Sequence, residues 1–377
     1  MAAVRKVLII GGGIGGLSAA IALAKAGIDT DVAEIERDWK IYQVGIVVQA
    51  NFIRAMAALG IAEQAVAAGF AYDGLIFEDL HGRVIQRLNG ARLAGPNYPS
   101  HLGMTRPALH QVLFTAASEA GARLRLGTTF RQLTALADRV QVDFNDASTE
   151  QYDLVVGADG VYSQVRAHLF GTQYRPRFTG QGTWRYNVAR PSQVNYSFMC
   201  MGEGLPLGKC GFIPLSEQSG YVWLVQSEPG NPRHPPEQLA NIFRERLKAC
   251  TGIMAQMREQ IRNASQVVYR PLEALLLPRP WYRGRVLLIG DAAHATTPHL
   301  GQGSAQAVED AVVLGELLAR NAPVEGLLEE FMQRRYERCR FIVESSLQLG
   351  EWEQSPVPTA DPVGLTAKML ATVAAPI

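Results

Sequence analysis

Residues 4–10 are a β-branched-rich apolar run ending in Gly11-Gly12-Gly13-Ile14-Gly15-Gly16. An alanine-rich helical segment follows over 14–26, and a second strand-like run over 29–34 closes on Glu34. Strand, glycine turn, helix and strand in that order form a βαβ unit, which commits the chain to a parallel sheet covered by helices. The loop satisfies G-x-G-x-x-G. Gly11 permits the tight turn, Gly13 lets the backbone approach a pyrophosphate, and Gly16 brings helix and strand together. Gly15 belongs to the same phosphate loop. Glu34 stands 21 residues after Gly13, where an acid accepts from both ribose hydroxyls and repels a 2′-phosphate. Glu36 is a rival for that role, although it falls beyond the strand.

A second element near the other end of the chain narrows the ligand. Residues 285–289 are a short apolar run bounded by glycine, read as a buried strand. The run enters Gly290-Asp291-Ala292-Ala293-His294, then Pro298 and Gly301-Gln302-Gly303. Asp291, at the strand end, is placed to accept hydrogen bonds from a ligand polyol. The helix expected over 304–318 turns its free N–H groups toward the same ligand, with Gly301, Gly303 and Ser304 at its start. A phosphate loop joined to a polyol-binding acid fits a flavin dinucleotide. Between these two elements, the strand at 153–157 ends at Asp159-Gly160, followed by Ser163 and Arg166. Asp159 lies on the carboxyl edge, where α/β sheets bind ligands. The competing reading is an Asp-Gly turn that merely closes a strand. Ser163 and Arg166 are placed to cap the next turn or to contact phosphate.

The rest of the chain divides by periodicity. Apolar residues recur at helical spacing over 51–68, 107–120, 306–321 and 329–349, while 74–79 and 83–86 alternate about His81-Gly82 as a hairpin. Residues 123–146 read as a β ribbon. From 175 to 270 aromatic and β-branched residues alternate with polar ones, around one helix near 237–250. The pattern predicts an α/β fold: a Rossmann-like dinucleotide domain (1–70, 104–174 and 271–325), an inserted antiparallel-sheet substrate domain (71–103 and 175–270) and a C-terminal helical segment (326–377).

Composition removes other classes. The 377 residues are 47% hydrophobic and 19% charged, with a formal net charge of +1, so no long-range field favours nucleic acid or an acidic membrane. Arg5 and Lys6 before an apolar run mimic a signal peptide, but the glycines break its core, and no run reaches the roughly 18 apolar residues of a membrane span. The four cysteines show no C-x-x-C spacing, which argues against a zinc site or redox dithiol and for reduced thiols in a cytoplasmic protein. No metal site is expected. Arg334, Arg335, Arg338 and Arg340, interleaved with Glu337, read as a solvated helix face.

The three dinucleotide elements together resemble the class A flavoprotein monooxygenases, the aromatic hydroxylases of p-hydroxybenzoate and salicylate hydroxylase type, over most of the chain. Gly11, Gly13, Gly16 and Glu34 are similar to the family's adenosine-end motif. Asp159-Gly160 with Ser163 and Arg166 are similar to its central motif, and Gly290-Asp291 with Pro298 to its flavin ribitol motif. Arg106, followed by Leu109 and Leu113, resembles the FAD-contacting arginine at the head of a helix. Two departures stand out: Ser304-Ala305 replaces a frequent Ala-Asn, and Gln43-Val44-Gly45 replaces a frequent Gly-Ala-Gly beside the flavin.

The resemblance implies resident FAD, NADH or NADPH as a transient cosubstrate, and O2, with hydroxylation through a flavin C4a-hydroperoxide. Its terminal oxygen is electrophilic, so the substrate is a phenol or hydroxylated heteroaromatic in a water-excluded pocket. His299 is the candidate base on the phenol, against the alternative of a histidine that bonds only its neighbours. Lys209 is a candidate for a substrate carboxylate, against a solvated lysine, and Tyr221 and Trp223 are candidate pocket walls. His294 reads as structural. The protein is expected as monomer or homodimer. Two other readings on this scaffold are a flavin halogenase, for which no W-x-W is present, and a non-catalytic prenyl-carrier-like protein, for which the ribitol acid Asp291 would have no use.

Overall fold

The computed structural model describes residues 4–39, 43–202, 205 and 208–377. Strand β1 (Lys6–Ile10), helix α1 (Ile14–Lys25) and strand β2 (Asp29–Glu34) form the opening βαβ unit. Next come β3 (Gly45–Val48), α2 (Ala50–Ala58), α3 (Ala62–Ala67) and β4 (Phe70–Tyr72). The single helix expected over 51–68 is broken at Gly60, whose φ of +71° only glycine adopts freely. The hairpin β5 (Leu75–Glu78) and β6 (Val84–Leu88) precedes β7 (His101–Thr105) and α4 (Arg106–Glu119). Strand β8 (Arg123–Leu126) leaves the expected ribbon and pairs in parallel with β2, where Arg123 bonds Asp31 at 2.8 Å. Strands β9 (Phe130–Ala135), β10 (Val140–Phe144) and β11 (Thr149–Tyr152) make a small antiparallel sheet, and β12 (Leu154–Gly157) leads to α5 (Gln164–Phe170).

The second half begins with β13 (Arg177–Ala189), β14 (Phe198–Cys200), β15 (Gly208–Pro214) and β16 (Ser219–Ser227), then α6 (Leu239–Arg246), α7 (Gly252–Arg258) and β17 (Val268–Ala274). After β18 (Tyr282–Arg283) and β19 (Val286–Leu288) come α8 (Asp291–His294), α9 (Gly303–Leu318), α10 (Val324–Gln354) and α11 (Pro362–Ala374). Helix α10 extends beyond the expected 329–349 at both ends, and α11 packs against it.

Two sheets organise the molecule. The first runs β18-β19-β12-β1-β2-β8, parallel except for β18, so β12 from the middle of the chain lies between the first strand β1 and the late strand β19. The second runs β17-β13-β16-β15-β14-β5-β6. It takes its hairpin from residues 75–88 and the remainder from 177–274. Its last strand stays paired to Ala274, past residue 270, because Arg177 and Phe178 continue the register with Ala274 and Glu273. Trp184, Tyr186, Phe212, Val222 and Leu224 fill the face toward α6 and α7, and the alternate residues face the first sheet's helices. The four cysteines are buried free thiols, with Cys210 and Cys250 sulfurs 3.7 Å apart. Among the described residues no helix is long and apolar enough to cross a membrane.

Candidate functional site

The glycine loop is built by close backbone contacts. A Cβ on Gly16 would lie 1.9 Å from the Gly11 carbonyl oxygen, and one on Gly11, where φ is +109°, 2.4 Å from that of Ala158. At Gly13 nothing stands within 4 Å of that position, so the loop is open where a phosphate would approach. A Cβ on Gly15 would lie 3.4 Å from the Ala307 methyl, so the start of α1 runs beside α9. Neither helix has a side-chain cap, so both present unpartnered N–H groups to the same region. Glu34 accepts the Gly12 N–H at 2.8 Å and the Glu36 N–H at 2.9 Å, which makes it the acid in contact with the loop. His110 bonds the Gly12 carbonyl at 3.1 Å, and the Trp39 ring packs against His110 at a tilt of 55°, centroids 4.3 Å apart. The sequence reading missed both aromatic residues, since neither belongs to a motif.

The central motif binds the protein to itself. Asp159 accepts the N–H groups of Gln164 at 2.7 Å and Val165 at 3.0 Å, and Ser163 caps α5 through the Arg166 N–H. Its carboxylate is thus committed to a helix start, as the turn-closing reading implies. Arg166 does not stand free for phosphate: buried, it donates to the carbonyls of Val161, Tyr174 and Ala292 at 2.8, 3.1 and 2.9 Å. That last bond ties the central motif to the Asp291 turn.

Asp291 opens α8 directly after Gly290, where φ is +58°. Solvent reaches its side chain, yet burial by the surrounding walls pushes its carboxyl upward, opposed by His294 and Arg106. An acid that is open but enclosed is what a polyol ligand requires. Behind it, Asp310 accepts from the Gly290 N–H at 2.9 Å and lies 2.7 Å from both His294 Nε2 and Arg335 Nε. Arg335, read as solvated, is fully buried: it also bonds Glu309 at 2.8 Å and the Gln306 carbonyl at 3.1 Å. Its guanidinium stands among His294, Asp310 and Cys339, the one described cluster with metal-ligating atoms, and supplies the positive charge there. Gln302 is fully buried, bonds Asn51 at 3.1 Å, and with Gly301 (φ +64°) fixes the turn into Gly303 and Ser304. Arg106 heads α4, with its guanidinium in electrostatic reach of Asp291 and Tyr221 and no hydrogen-bonded partner among the described residues.

The second sheet roofs this region. Cross-strand register places Gln181, Arg185 and Asn187 of β13, Lys209 of β15, and Tyr221 and Trp223 of β16 on one face. Tyr221 rests on Gly45, where a Cβ would lie 2.1 Å from the ring, and Trp223 rests on Gly211. Lys209 is held by Glu353 of α10 at 2.5 Å, so its ammonium is already paired. His299 is drawn into the same cluster: Nδ1 lies 2.8 Å from Thr297 Oγ1 and Nε2 3.2 Å from Glu353, off hydrogen-bond alignment. Its side chain is 0% exposed, so only its backbone borders the cleft of about 760 Å³ between β13, β17 and α10. Burial, then Lys209, pushes its pKa down, which keeps the imidazole neutral. Arg185, Gln181 and Glu353 were missed in the sequence; only the alternation of β13 pointed to the first two.

The open face at Gly13, the paired helix starts and the open acid Asp291 fit a flavin dinucleotide. Comparison with known proteins agrees. Residues 5–346 match the family model described as FAD binding domain. The chain is 32% identical over 361 residues to the aurachin C monooxygenase/isomerase of Stigmatella aurantiaca, covering 93% of this chain and 90% of that one. It is 32% identical over 355 residues to the 2-heptyl-3-hydroxy-4(1H)-quinolone synthase of Pseudomonas aeruginosa, covering 92% and 90%. A structure of a Klebsiella pneumoniae HpxO variant complexed with FAD superposes with a TM-score of 0.84 at 25% identity, over 98% of this chain and 94% of that one.

Proposed function

The chain belongs to the FAD binding domain family and is an FAD-dependent monooxygenase of the class A aromatic hydroxylase type, and on that premise we propose that it hydroxylates an electron-rich, hydroxylated heteroaromatic ring with NADH or NADPH and O2. The observation that carries this reading is the enclosed but open Asp291 at the foot of a sheet face bearing Arg185, Tyr221 and Trp223. The heteroaromatic choice is supported by the quinolone in the name of one relative. FAD, when bound, takes electrons from the nicotinamide and passes them to O2, giving the oxidant for the ring. Gly11, Gly13, Gly15, Gly16 and Glu34 would hold its adenosine and phosphate end. Asp291, Gly301, Gly303, Ser304 and Arg106 would hold the remainder, with Asp159 supporting from behind.

The chain's own work is to orient the ring and exclude water. Tyr221, seated on Gly45, and Trp223, seated on Gly211, form walls that cannot swing without opening the sheet. Glu353 closes the roof from α10 through Lys209 and Gln181. The covered ring of His299 supports its structural reading over that of general base. The test is to purify the protein with its flavin and screen hydroxylated quinolines, purines and phenols for stimulated NAD(P)H oxidation. Hydroxylated product matching NAD(P)H consumed is the expected result. Peroxide as the sole product with every substrate would reassign the protein as an oxidase. Asp291→Ala should bind FAD about 10- to 100-fold more weakly, because the polyol loses a charged acceptor.

A further inference from the structure

Three of the four cysteines come together behind the second sheet. Cys200 and Cys210 face each other across the β14–β15 register, and Cys250, which follows α6, lies 3.7 Å from Cys210, sulfur to sulfur. The contact joins residues 40 positions apart, so no C-x-x-C spacing announces it. All three are buried free thiols. Many buried cysteines only fill space as small apolar side chains, and the surroundings set Cys250 apart from these.

Arg258, the last residue of α7, donates to the carbonyls of Leu247, Lys248 and Cys250 at 3.2, 3.0 and 3.3 Å. Its positive charge therefore stands beside Cys250, with Glu259 on its other side at 3.1 Å. The Cys210 thiol, donating to the Cys250 sulfur, lowers the Cys250 pKa, and Arg258 adds to this against the opposing effect of burial. Cys210 is pushed the other way by its bonds to Cys200 and Cys250, and then by burial. The pair is unequal: Cys250 is the sulfur that ionises, and Cys210 the one that keeps its proton.

We propose that Cys250 and Cys210 form a peroxide-oxidisable dithiol, a modification site whose disulfide clamps β15 to the turn between α6 and α7. The Cys250 thiolate attacks one oxygen of hydrogen peroxide and breaks the O–O bond, giving a sulfenic acid and, with one proton, water. The Cys210 sulfur then displaces the hydroxyl, which leaves with the Cys210 proton as a second water. Two thiols lose two electrons, and one peroxide gains them. A reduced flavin releases hydrogen peroxide when O2 takes its electrons and no ring takes the oxygen. The thiol chemistry needs only the peroxide, so it does not rest on the hydroxylase reading.

Cys250 is 1% exposed, yet it lies between exposed Lys248 and Thr251, so a slight opening of that turn admits a molecule little larger than water. Cys210 points into the core, while its strand neighbours Lys209 and Gly211 face the site, where Glu353 holds Lys209 and Trp223 rests on Gly211. Thr251 also donates its N–H to the Leu80 carbonyl at 2.8 Å. The bond thus fastens the central strand of the sheet, its covering turn and the β5–β6 hairpin into one unit.

The test treats holoenzyme with hydrogen peroxide, blocks the free thiols and maps peptides without reductant. Wild type should fall from four free thiols to two, with the Cys210 and Cys250 peptides joined. Cys210→Ser keeps an O–H donor beside Cys250. Dimedone should therefore trap its Cys250 as the sulfenic acid about tenfold faster than the likewise buried Cys200. Cys250→Ser should keep its remaining thiols under the same exposure. The melting temperature of wild type should rise on oxidation and return with dithiothreitol, and that of Cys210→Ser should not rise. Cys210 joined to Cys200, a Cys250 no faster than Cys200, or an oxidised wild type that melts no higher than the reduced one overturns the proposal. Wild type alone decides the pairing and the melting shift if a variant fails to fold. A wild type that forms the disulfide yet hydroxylates nothing counts against the proposed function alone.

Discussion

Asp310, two turns into α9, accepts the backbone N–H of Gly290 at 2.9 Å, so a helix residue 20 positions later sets the turn that presents Asp291. Arg335 from α10 holds the same carboxylate at 2.7 Å and Glu309 at 2.8 Å, with all three side chains 0% exposed. Removing one member of a buried ion network leaves uncompensated charge and costs about 3–5 kcal/mol. Arg335→Met should therefore lower the urea unfolding midpoint sharply and reduce flavin retention with it. An unchanged midpoint would show that α10 does not brace the turn.

The glycine loop separates packing from ligand approach. Gly16→Ala puts a methyl 1.9 Å from the Gly11 carbonyl, so α1 must move off β1, and thermal stability should fall along with FAD binding. Gly13→Ala meets nothing within 4 Å inside the protein. It should fold with wild-type stability as apoprotein yet bind FAD at least tenfold more weakly, since its methyl occupies the approach to the loop. Equal apoprotein melting temperatures for the two variants would contradict this division.

Much of this architecture was legible because its signals are local. The strand–glycine–helix order at residue 11, the strand end at Glu34, the turn at Asp291 and the alternation of residues 175–270 each report a nearby backbone preference. What stayed hidden depends on long-range placement. Arg335 and Arg340 look alike beside Glu337, yet Arg335 is enclosed because α10 packs on α9, and Arg340 stays partly exposed with Glu337 and Glu344. Glu353 ends a helix whose C-terminal turn the periodicity did not reach, so its grip on Lys209 and Gln181 had no sequence signal.

That grip gives a pH dependence. Burial alone would raise the Glu353 pKa, but Lys209, joined by His299 in its protonated form, outweighs it and holds the carboxyl at about 2, below its ordinary 4.5. A depressed carboxylate stabilises the fold fully above its unfolded value and loses that contribution as pH falls toward the folded one. The contribution, on the order of 3 kcal/mol at neutral pH, should fade between about pH 4.5 and 2. Glu353→Gln should be less stable than wild type at pH 7, and the two unfolding free energies should converge toward pH 2. Parallel pH–stability curves would mean that the Lys209 contact adds nothing.

His299 carries the sharpest choice between chemistry and support. Its ring is covered, neutral by burial and set between Thr297 Oγ1 and Glu353. Gly350 of α10 has no side chain to push it away, since a Cβ there would lie 3.0 Å from the ring. His299→Ala should stay yellow and be reduced by NAD(P)H, with stability lower by about 1–3 kcal/mol from the broken contacts. Hydroxylation should remain within tenfold of wild type near neutral pH, because the covered ring does not reach the cleft. A fall of roughly 10²–10⁴, with electrons diverted to peroxide and product recovered as the pH approaches the substrate's own pKa, is the signature of a lost general base. That result would require the ring to leave Glu353 during turnover, and it would return the proton-withdrawing role to His299.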